Sequence, residues 1–501
     1  MISGVEEARY ALEADSPAVI WRKCVVDTVT PIGAALRLMK AERGDYLLES
    51  VEGGETRGRY SILGLDPDLV MRARNDVASI NRDWRSDRGA FEDIGVDSVQ
   101  AVRDLVKECQ FDVPDDLPPA LACLVGYFGY ETIGLVEKVP LAPGAGLGLP
   151  TMMFVRPTIV LVFDNLSQAM FCVAPLWPSA TEVEGTIGDG VRRIETTLEQ
   201  LAASNMEEGE GAKTGADRGL ELRATLPTGA FEQMVERAKK HIVAGDIFQV
   251  VLSQAFECPF ELPPIALYRA LRRVNPSPFL FFLDLPDCAI VGSSPEILVR
   301  MRDDKVTIRP IAGTRPRGRD IEEDKRAERD LLADEKERAE HLMLLDLGRN
   351  DIGRVSVRNS VEVTESFAVE RYSHVMHIVS NVEGTLDPSC DALDAVYAGF
   401  PAGTVSGAPK VRACQLIAEL ERDRRGPYAG GVGYFGPDGS LDSCIVLRTG
   451  IVKDRVLHIQ AGAGIVADSD PAYEQRECEA KAGALFAAAQ EAYRFAREET
   501  W

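Results

Sequence analysis

A helix near the C-terminal end most constrains this chain, because it places acidic side chains on the face that its later turns bury. Asp470 and Pro471 form a favourable helix start, an N-cap followed by proline at the first helical position. At helical spacing, one face then carries Glu474, Glu477, Lys481, Ala484, Leu485, Ala488, Ala492 and Phe495. Because buried charge without a partner is costly, we expect a cation beside the two glutamates.

A second acidic pair with the same spacing occurs far away in the sequence. Glu337 and Glu340 lie on one side of the helical run 334–346, and Leu344 continues that side. If the two pairs face one space, four carboxylates converge there. Oxygen ligands with room for water are typical of Mg²⁺ rather than of zinc or copper. The pattern alone leaves open the alternative that both pairs are solvated and paired with local Arg and Lys residues.

The overall charge limits the partners of the chain. Its 501 residues include 79 acidic and 56 basic side chains, for a formal net charge of −23. This charge argues against nucleic acids and anionic membranes as partners, so an anionic substrate needs local positive charge or a metal. The ten cysteines form no C-x-x-C pair, which argues against a zinc cluster. The sequence also lacks a signal-peptide pattern and a membrane-spanning apolar run, so we expect a cytoplasmic protein.

One change of composition divides the chain. The polar, glycine-rich run 202–219 is predicted to be a flexible loop between an N-terminal region, 1–201, and a second region, 220–501. Strand-like and helical runs alternate on both sides without a regular β-α-β repeat. The clearest predicted strands are 45–48, 249–254, 279–283 and 458–466, and the clearest predicted helices are 99–109, 325–347 and 411–421. This pattern favours an α+β fold of antiparallel sheets flanked by helices.

Three segments contain glycines where a ligand can lie against the backbone. The run 460–466 is predicted to be a strand, and its two interior glycines mark either a close approach or a bulge. The turn 310–315 offers free backbone donors. In the run 400–410, Thr404 lies between glycines just before a helix, where amides can hold an anion.

Four side chains are candidates for binding an anion or moving a proton. Arg448 and Lys481 carry positive charge, although a structural ion pair is the alternative for Arg448. His377 lies in an apolar run, where a hydrogen-bonded core histidine is the alternative to a catalytic one. Glu296 follows a predicted strand at a turn, where exposure is the default expectation. Together with the four glutamates, this set fits a small, dianionic, oxygen-rich metabolite whose leaving group a metal would activate.

The order of these segments resembles a known family. Similarity extends over nearly the whole chain, is densest from 248 to 481, and includes AGDIFQVVLSQ, SSPE, PIAGTRPRG, DEKERAEHLMLLDLGRND, SHVMHIVSNVEG, PAGTVSGAPK, GPYAGGVGYFG, LRTG, QAGAGIV and the closing Glu-x-x-Glu-x-x-x-Lys. These segments are similar to those of the chorismate-utilising enzymes and, within them, of the anthranilate synthase component I group. The resemblance implies a lyase of tryptophan biosynthesis that binds chorismate and Mg²⁺ in a cleft between antiparallel sheets and helices, in the catalytic region 220–501.

The resemblance also implies roles for individual residues. Glu340 and Glu477 would bind Mg²⁺ directly, and Glu337 and Glu474 would support it through water. Chorismate would be held by Gly313, Thr314, Tyr428, Arg448, Gly462, Ala463, Gly464 and Lys481. The metal would neutralise the ring carboxylate and Arg448 the pyruvyl carboxylate.

Further implied roles concern the reaction itself. Ammonia would add to the ring while Glu296 assists departure of the hydroxyl, and His377 and Thr404 would serve the elimination of pyruvate. Isochorismate and salicylate synthases have a lysine where this chain has Gln249, and aminodeoxychorismate synthase component I often has one where this chain has Ala312. Both differences favour anthranilate. The alternatives are an aminodeoxychorismate synthase component I and a non-catalytic, tryptophan-binding regulatory chain.

The N-terminal region is expected to carry the regulatory elements. The runs 47–50 and 275–281 resemble the tryptophan feedback site of the family, with Glu49, Ser50, Pro278, Phe279 and Leu280 as the predicted ligand contacts. By its chemistry, Glu49 can pair with the amino group of the inhibitor L-tryptophan. The chain contains no glutamine amidotransferase triad, so a separate amidotransferase subunit is expected to supply ammonia.

Overall fold

The computed structural model describes residues 1–52, 56–74, 76–178, 182–203, 220–372 and 375–498. The helices in these ranges are α1 (Val5–Glu13), α2 (Pro31–Leu38), α3 (Ser98–Glu108), α4 (Ile133–Val136), α5 (Val183–Ala202), α6 (Ala230–Val243), α7 (Pro264–Val274), α8 (Ile321–Ala333), α9 (Glu335–Gly353), α10 (Ala392–Gly399), α11 (Lys410–Leu420) and α12 (Pro471–Glu498). Short 3₁₀ turns lie at Tyr130–Thr132 and Gly403–Val405. None of these helices is both long and apolar enough to cross a bilayer.

The strands of the described ranges alternate with these helices. They are β1 (Ala18–Val25), β2 (Asp45–Glu52), β3 (Thr56–Leu65), β4 (Leu69–Arg74), β5 (Val77–Asn81), β6 (Glu92–Asp93), β7 (Leu124–Phe128), β8 (Met152–Arg156), β9 (Ile159–Asp164), β10 (Ala169–Leu176), β11 (Arg223–Ala224), β12 (Gln249–Pro259), β13 (Phe279–Leu285), β14 (Cys288–Ser294), β15 (Ile297–Arg302), β16 (Lys305–Ile308), β17 (Ile311–Pro316), β18 (Glu362–Arg371), β19 (Val375–Thr385), β20 (Gly407–Ala408), β21 (Gly431–Phe435), β22 (Leu441–Ile445), β23 (Thr449–Lys453) and β24 (Val456–Ile465).

These strands form two antiparallel sheets, here called sheet A and sheet B. Sheet A has the order β1-β10-β9-β3-β2-β13-β14-β23-β24-β12-β11, and β20 pairs with β12. Sheet B has the order β17-β19-β16-β15-β22-β21-β7-β8-β4-β5-β6, and β18 pairs with β19. The predicted α+β fold of antiparallel sheets flanked by helices is therefore confirmed.

Two apolar cores hold the layers together. The larger core contains inward side chains of both sheets, such as Phe281 and Ile290 from sheet A and Phe154 and Phe435 from sheet B. The second core lies on the other face of sheet A, where α1, α2, α5, α7 and α12 cover it. Because side chains alternate along a strand, neighbouring residues of β2 and β13 enter different cores.

Each sheet combines strands from both regions of the sequence. In sheet A, the register between β2 and β13 pairs Glu49 with Leu280 and Ser50 with Phe279. In sheet B, the register between β7 and β21 pairs Phe128 with Gly431. The division into 1–201, 202–219 and 220–501 stays a prediction about the sequence, and most of the predicted loop, 204–219, lies outside the described residues.

Candidate active site

The chain passes between the two sheets at two connections that carry candidate residues. Glu296 lies between β14 of sheet A and β15 of sheet B, and Arg448 lies between β22 of sheet B and β23 of sheet A. The backbone N–H of Ser293 donates to the Arg448 carbonyl at 3.2 Å, and that of Ile445 donates to the Glu296 carbonyl at 3.1 Å. The two connections are therefore hydrogen-bonded neighbours.

Glu296 is buried, contrary to the exposure expected of a residue at a turn. Only 6% of its surface is exposed, because its turn joins two packed sheets rather than two strands of one surface hairpin. Burial raises the pKa of its carboxyl to about 8, although the Thr404 hydroxyl, the Ile311 amide and the Arg448 charge each favour the ionised form. Glu296 is thus protonated at neutral pH and able to act as an acid.

Arg448 presents its charge to a cleft. Its side chain is open to solvent at the cleft. The surrounding protein nevertheless removes part of its hydration and lowers the pKa of the guanidinium, while Tyr372 and Glu296 act in the opposite direction. Within the described ranges, its guanidinium makes no ion pair, in contrast to the structural salt bridge that was the alternative. Its backbone has a φ of +48°, a region that is unfavourable for non-glycine residues and is often found at functional sites. This cation is available for an anionic ligand.

His377 lies on β19 opposite a bulge in β17. Its Nδ1 lies 3.1 Å from the Gly313 carbonyl and 3.1 Å from Thr314 Oγ1. Since a carbonyl only accepts, Nδ1 carries the proton and Nε2 keeps a free lone pair. Burial lowers the pKa of the ring to about 4, so it is neutral at physiological pH. The bulge requires Gly313, whose φ is +72°.

The two acidic pairs lie on α9 and α12, and their side chains interact electrostatically. On α9, Glu340 is held next to β12, where Gln249 Nε2 donates to its Oε1 at 3.5 Å. Burial, Glu337 and the α12 residue Glu477 all raise the pKa of Glu340. Lys336 acts on both pairs, since its charge lowers the pKa of Glu340 and that of Glu474. That both pairs face one space stays a prediction, which these charge interactions between α9 and α12 support.

The start of α12 also agrees with the sequence, but its buried face is rotated. Asp470 Oδ1 accepts a hydrogen bond from the Tyr473 backbone at 2.8 Å, as expected of an N-cap. Glu474 is buried, whereas Glu477 and Lys481 form an ion pair of 2.7 Å at the margin of the buried face. The predicted positions Leu485, Ala488 and Ala492 are buried, but Cys478, Ala482 and Ala489 are buried as well and Ala484 is exposed. Lys481 is thus an accessible cation rather than an inward one.

Small residues on β24 form one wall of the site. Gly462, Ala463 and Gly464 pair with Ser253, Leu252 and Val251 of β12. A Cβ atom at Gly464 would lie 2.6 Å from Gln249 Nε2, and one at Gly462 would lie 2.8 Å from the Tyr428 hydroxyl oxygen. Lys481 Nζ donates to the Gly462 carbonyl at 2.9 Å. The glycines are therefore required by close approach of the neighbouring side chains.

Thr404 offers an unused hydroxyl. Its Oγ1 is buried and makes no hydrogen bond within the described ranges, although it is near enough to Glu296 to lower the pKa of that carboxyl. The turn that carries it packs on α9, since a Cβ atom at Gly403 would lie 2.9 Å from Leu347 Cδ1. A buried hydroxyl without a hydrogen-bond partner can form a hydrogen bond with an oxygen atom of a bound ligand.

The acidic pairs fit a hard dication that keeps part of its water shell. No group of three or more His, Cys, Asp or Glu side chains in the described ranges is close enough to hold a metal ion alone. Mg²⁺ does not require such a group, because it commonly binds one or two carboxylates together with water and substrate oxygens. Glu340 is half-buried near the like charges of Glu337 and Glu477, with the Gln249 amide and the Lys336 charge as favourable neighbours, and a cation would compensate the remaining negative charge.

Sequence reasoning missed an internal ion pair that supports the site. Arg425 binds Glu421 through Nε at 2.9 Å and donates to the backbone carbonyls of Val405 at 2.8 Å and Val251 at 2.7 Å. Its guanidinium also lies 5.7 Å from the ring centre of Tyr428. Arg425 therefore ties together the Thr404 turn, the Gln249 strand and a predicted substrate contact. The Glu-x-x-x-Arg spacing on a turn gave no signal for this role.

The predicted tryptophan contacts lie together but on two faces of sheet A. Glu49 and Leu280 point toward the outer core, whereas Ser50 and Phe279 point toward the core shared by the sheets, and Pro278 precedes Phe279. Glu49 is already bound by the Tyr268 hydroxyl at 2.6 Å and by Arg272 at 2.9 Å. An amine ligand would have to compete with both.

The chain is similar to known proteins over nearly its whole length. A family model described as chorismate binding enzyme matches residues 45–487. The chain is 48% identical over 500 residues to anthranilate synthase component 1 of Cereibacter sphaeroides, with 99% of each chain covered. The crystal structure of anthranilate synthase component I from Streptococcus pneumoniae matches with a TM-score of 0.75 and 37% identity, covering 92% of this chain and 98% of that one. The menaquinone-specific isochorismate synthase of Escherichia coli shares the fold, with a TM-score of 0.70 at 19% identity, covering 97% and 99%.

Proposed function

This chain belongs to the chorismate-binding enzymes, in the anthranilate synthase component I group, and we propose that it converts chorismate and ammonia to anthranilate and pyruvate with Mg²⁺ as cofactor. The observation that carries this proposal is the buried, protonated Glu296 beside the unpaired cation of Arg448. Such a pair can hold a carboxylate and protonate a leaving oxygen of the same small molecule. The four glutamates supply the complementary metal-binding end of the cleft.

Substrate binding would use the cations and amides of the site. Arg448 would hold the pyruvyl carboxylate, because it has no other ion-pair partner in the described part of the chain. Thr314 and the backbone of Gly313 and of 462–464 would line the ring, with Tyr428 behind them and Lys481 at the margin. Bound at Glu340 and Glu477, with Glu337 and Glu474 behind, Mg²⁺ would neutralise the ring carboxylate and make the ring a better electrophile.

The first chemical step would be addition of ammonia. A C–N bond forms at the ring carbon next to the carboxylate-bearing carbon, the two conjugated ring double bonds shift by one position, and the C–O bond to the ring hydroxyl breaks. Glu296 donates its proton to the departing oxygen, so that water leaves. The pKa of about 8 allows this donation at neutral pH.

The second step would eliminate pyruvate. His377 Nε2, neutral and with a free lone pair, accepts the proton from the amine-bearing carbon. The ring becomes aromatic as the ether C–O bond breaks and the enol of pyruvate leaves. The Thr404 hydroxyl, which makes no hydrogen bond within the described ranges, would donate one to that oxygen.

The side chain of Gln249 favours ammonia as the nucleophile. Its amide next to Glu340 cannot take a proton from water, which favours ammonia over water as the attacking group. A separate glutamine amidotransferase subunit would supply that ammonia, and a cytoplasmic location would suit both chains. These points rest on the sequence resemblance.

Feedback inhibition by L-tryptophan is part of the proposal. The amino group would pair with Glu49 after displacing Arg272, and the indole would lie against Leu280, which shares the Glu49 face of sheet A. If this holds, Glu49→Gln lowers the inhibition by tryptophan without lowering uninhibited turnover. Inhibition curves at saturating chorismate decide the point, and an unchanged inhibition constant contradicts it.

Product analysis tests the proposed reaction. The purified chain, given chorismate, Mg²⁺ and ammonium without any partner, is expected to release anthranilate and pyruvate in equal amounts, measured by fluorescence and by a coupled dehydrogenase. Accumulation of an amino-substituted dihydro product without pyruvate would instead favour an aminodeoxychorismate-type synthase. Complete absence of turnover, with tryptophan binding retained, would favour a regulatory chain.

A further inference from the structure

A second cleft, on the N-terminal side of sheet A, has the composition of an anion site. It has a volume of about 510 Å³ and lies between the end of α2, the end of β3 and one side of α5. Its walls carry five basic side chains, Lys40, Arg43, Arg85, Arg192 and Arg193, and only two acidic ones. This excess of positive charge is unusual in a chain whose net charge is −23.

We propose that this cleft binds a small organic polyanion, a molecule with at least two phosphate or carboxylate charges. The volume falls within the range of about 300–1,000 Å³ that is typical of small-molecule sites. Arginines predominate among its cations, and their planar, multiply donating groups match phosphate and carboxylate oxygens. None of the predicted chorismate, metal or tryptophan contacts lines this cleft.

Ion pairs with neighbouring carboxylates neutralise only part of the positive charge of this cleft. Arg43 binds Asp45 at 2.7 Å, Arg85 binds Asp66 at 2.8 Å, and Arg192 binds Asp189. Lys40 and Arg193 form no ion pair with any described residue. Two cations are therefore left for a ligand.

Arg193 gives the clearest sign of a missing partner. Its Nε atom is buried and makes no hydrogen bond within the described ranges. Burial and the like charges of Arg85 and Arg192 lower the pKa of its guanidinium, and the carboxylates of Asp68 and Asp66 only partly offset them. A buried N–H donor without an acceptor is unfavourable, and an anionic ligand in the cleft would supply that acceptor.

The remaining walls suit an organic ligand rather than a bare ion. The apolar residues Leu38, Leu65 and Ile159 are each almost fully buried and border the cleft. Thr196 and Gln200, on α5, add uncharged polar groups. In a ligand with anionic groups on a short carbon skeleton, the anionic groups would bind the basic side chains and the carbon atoms would contact the apolar ones.

Calorimetric titration in Mg²⁺-free buffer tests the proposal with two probes, pyrophosphate and citrate. We expect at least one probe to bind with a Kd below about 1 mM. Binding of pyrophosphate alone identifies a phosphate ligand, and binding of citrate alone identifies a carboxylate ligand. Arg193→Gln and the more exposed Arg85→Gln are each expected to weaken binding about 10-fold or more.

Two control variants separate this cleft from other anion effects. Arg22→Gln makes the same change of charge at an exposed position of β1 outside the cleft and is expected to bind like the wild type. Arg448→Gln removes the free cation of the candidate active site and should also leave binding unchanged. The proposal is overturned if neither probe binds, if Arg193→Gln and Arg85→Gln bind as tightly as Arg22→Gln, or if Arg448→Gln abolishes binding.

Discussion

Gln249 Nε2 lies 3.5 Å from Glu340 Oε1, although 91 residues separate the two in sequence. The contact joins the first residue of β12 to the buried side of α9. It places a neutral amide, rather than a base, next to a proposed metal ligand. Both the metal site and the choice of nucleophile depend on this arrangement.

Glu340→Gln is expected to weaken Mg²⁺ binding. Removing one carboxylate should raise the Mg²⁺ concentration for half-maximal activity at least about 10-fold, as seen for changes near metal ligands. Glu335→Gln, on an exposed turn of the same helix, is the matched control and should behave like the wild type. Equal Mg²⁺ requirements for all three proteins would contradict the assignment.

The pH dependence of turnover should follow the ionisation of the Glu296 carboxyl. Its carboxyl is protonated below its pKa of about 8 and loses the catalytic proton above it, so kcat/KM falls as pH rises past about 8. His377, with a pKa of about 4, stays neutral throughout and adds no change between pH 6 and 9. Rates must be expressed per concentration of un-ionised ammonia, which itself increases with pH. A profile that rises or stays flat through pH 8 would contradict the role of Glu296.

Gly464→Ala should impair turnover more than stability. The added methyl group would meet Gln249 Nε2 at 2.6 Å, and that side chain can turn away only by leaving Glu340. We expect turnover to fall about 10- to 100-fold, the usual effect of a small displacement in an active site. Gly483→Ala, where no atom lies within 4 Å, should keep full activity. Wild-type turnover in Gly464→Ala would show that Gln249 does not need its position.

Arg425→Met should destabilise the fold. The variant leaves the buried Glu421 carboxylate without its cation and two backbone carbonyls without a donor. Breaking one side of a buried ion pair costs about 3–5 kcal/mol, which urea unfolding can measure. Arg422→Met removes an exposed arginine three residues away and is the control. Equal unfolding midpoints for the two variants would argue against a supporting role for Arg425.

Local patterns predicted much of this fold because they report contacts close in sequence. The predicted strands 249–254 and 279–283 lie inside β12 and β13, and the Asp470 cap begins α12. The predicted helix 325–347 is in fact two helices. Asp334 ends α8 and caps α9 through the backbone of Lys336 and Glu337, a break that apolar periodicity does not reveal.

Packing between residues far apart in sequence explains where the structure differs from the sequence-based predictions. Glu296 looked like a surface turn because nothing local shows that β14 and β15 enter different sheets. The buried face of α12 is rotated because Ala482 and Ala489 join Leu485 and Ala492 in the second core, while Lys481 pairs with Glu477 outside it. The roles of Arg425 and Thr404 also depend on partners that only the fold brings near.

The most direct test of the account is turnover of Glu296→Gln. Glutamine keeps the shape and neutrality of the protonated acid but cannot donate its proton to a departing hydroxyl. The account predicts that kcat falls at least about 100-fold while chorismate affinity, measured by calorimetry, stays near that of the wild type. A Glu296→Gln enzyme that forms anthranilate at the wild-type rate would contradict it.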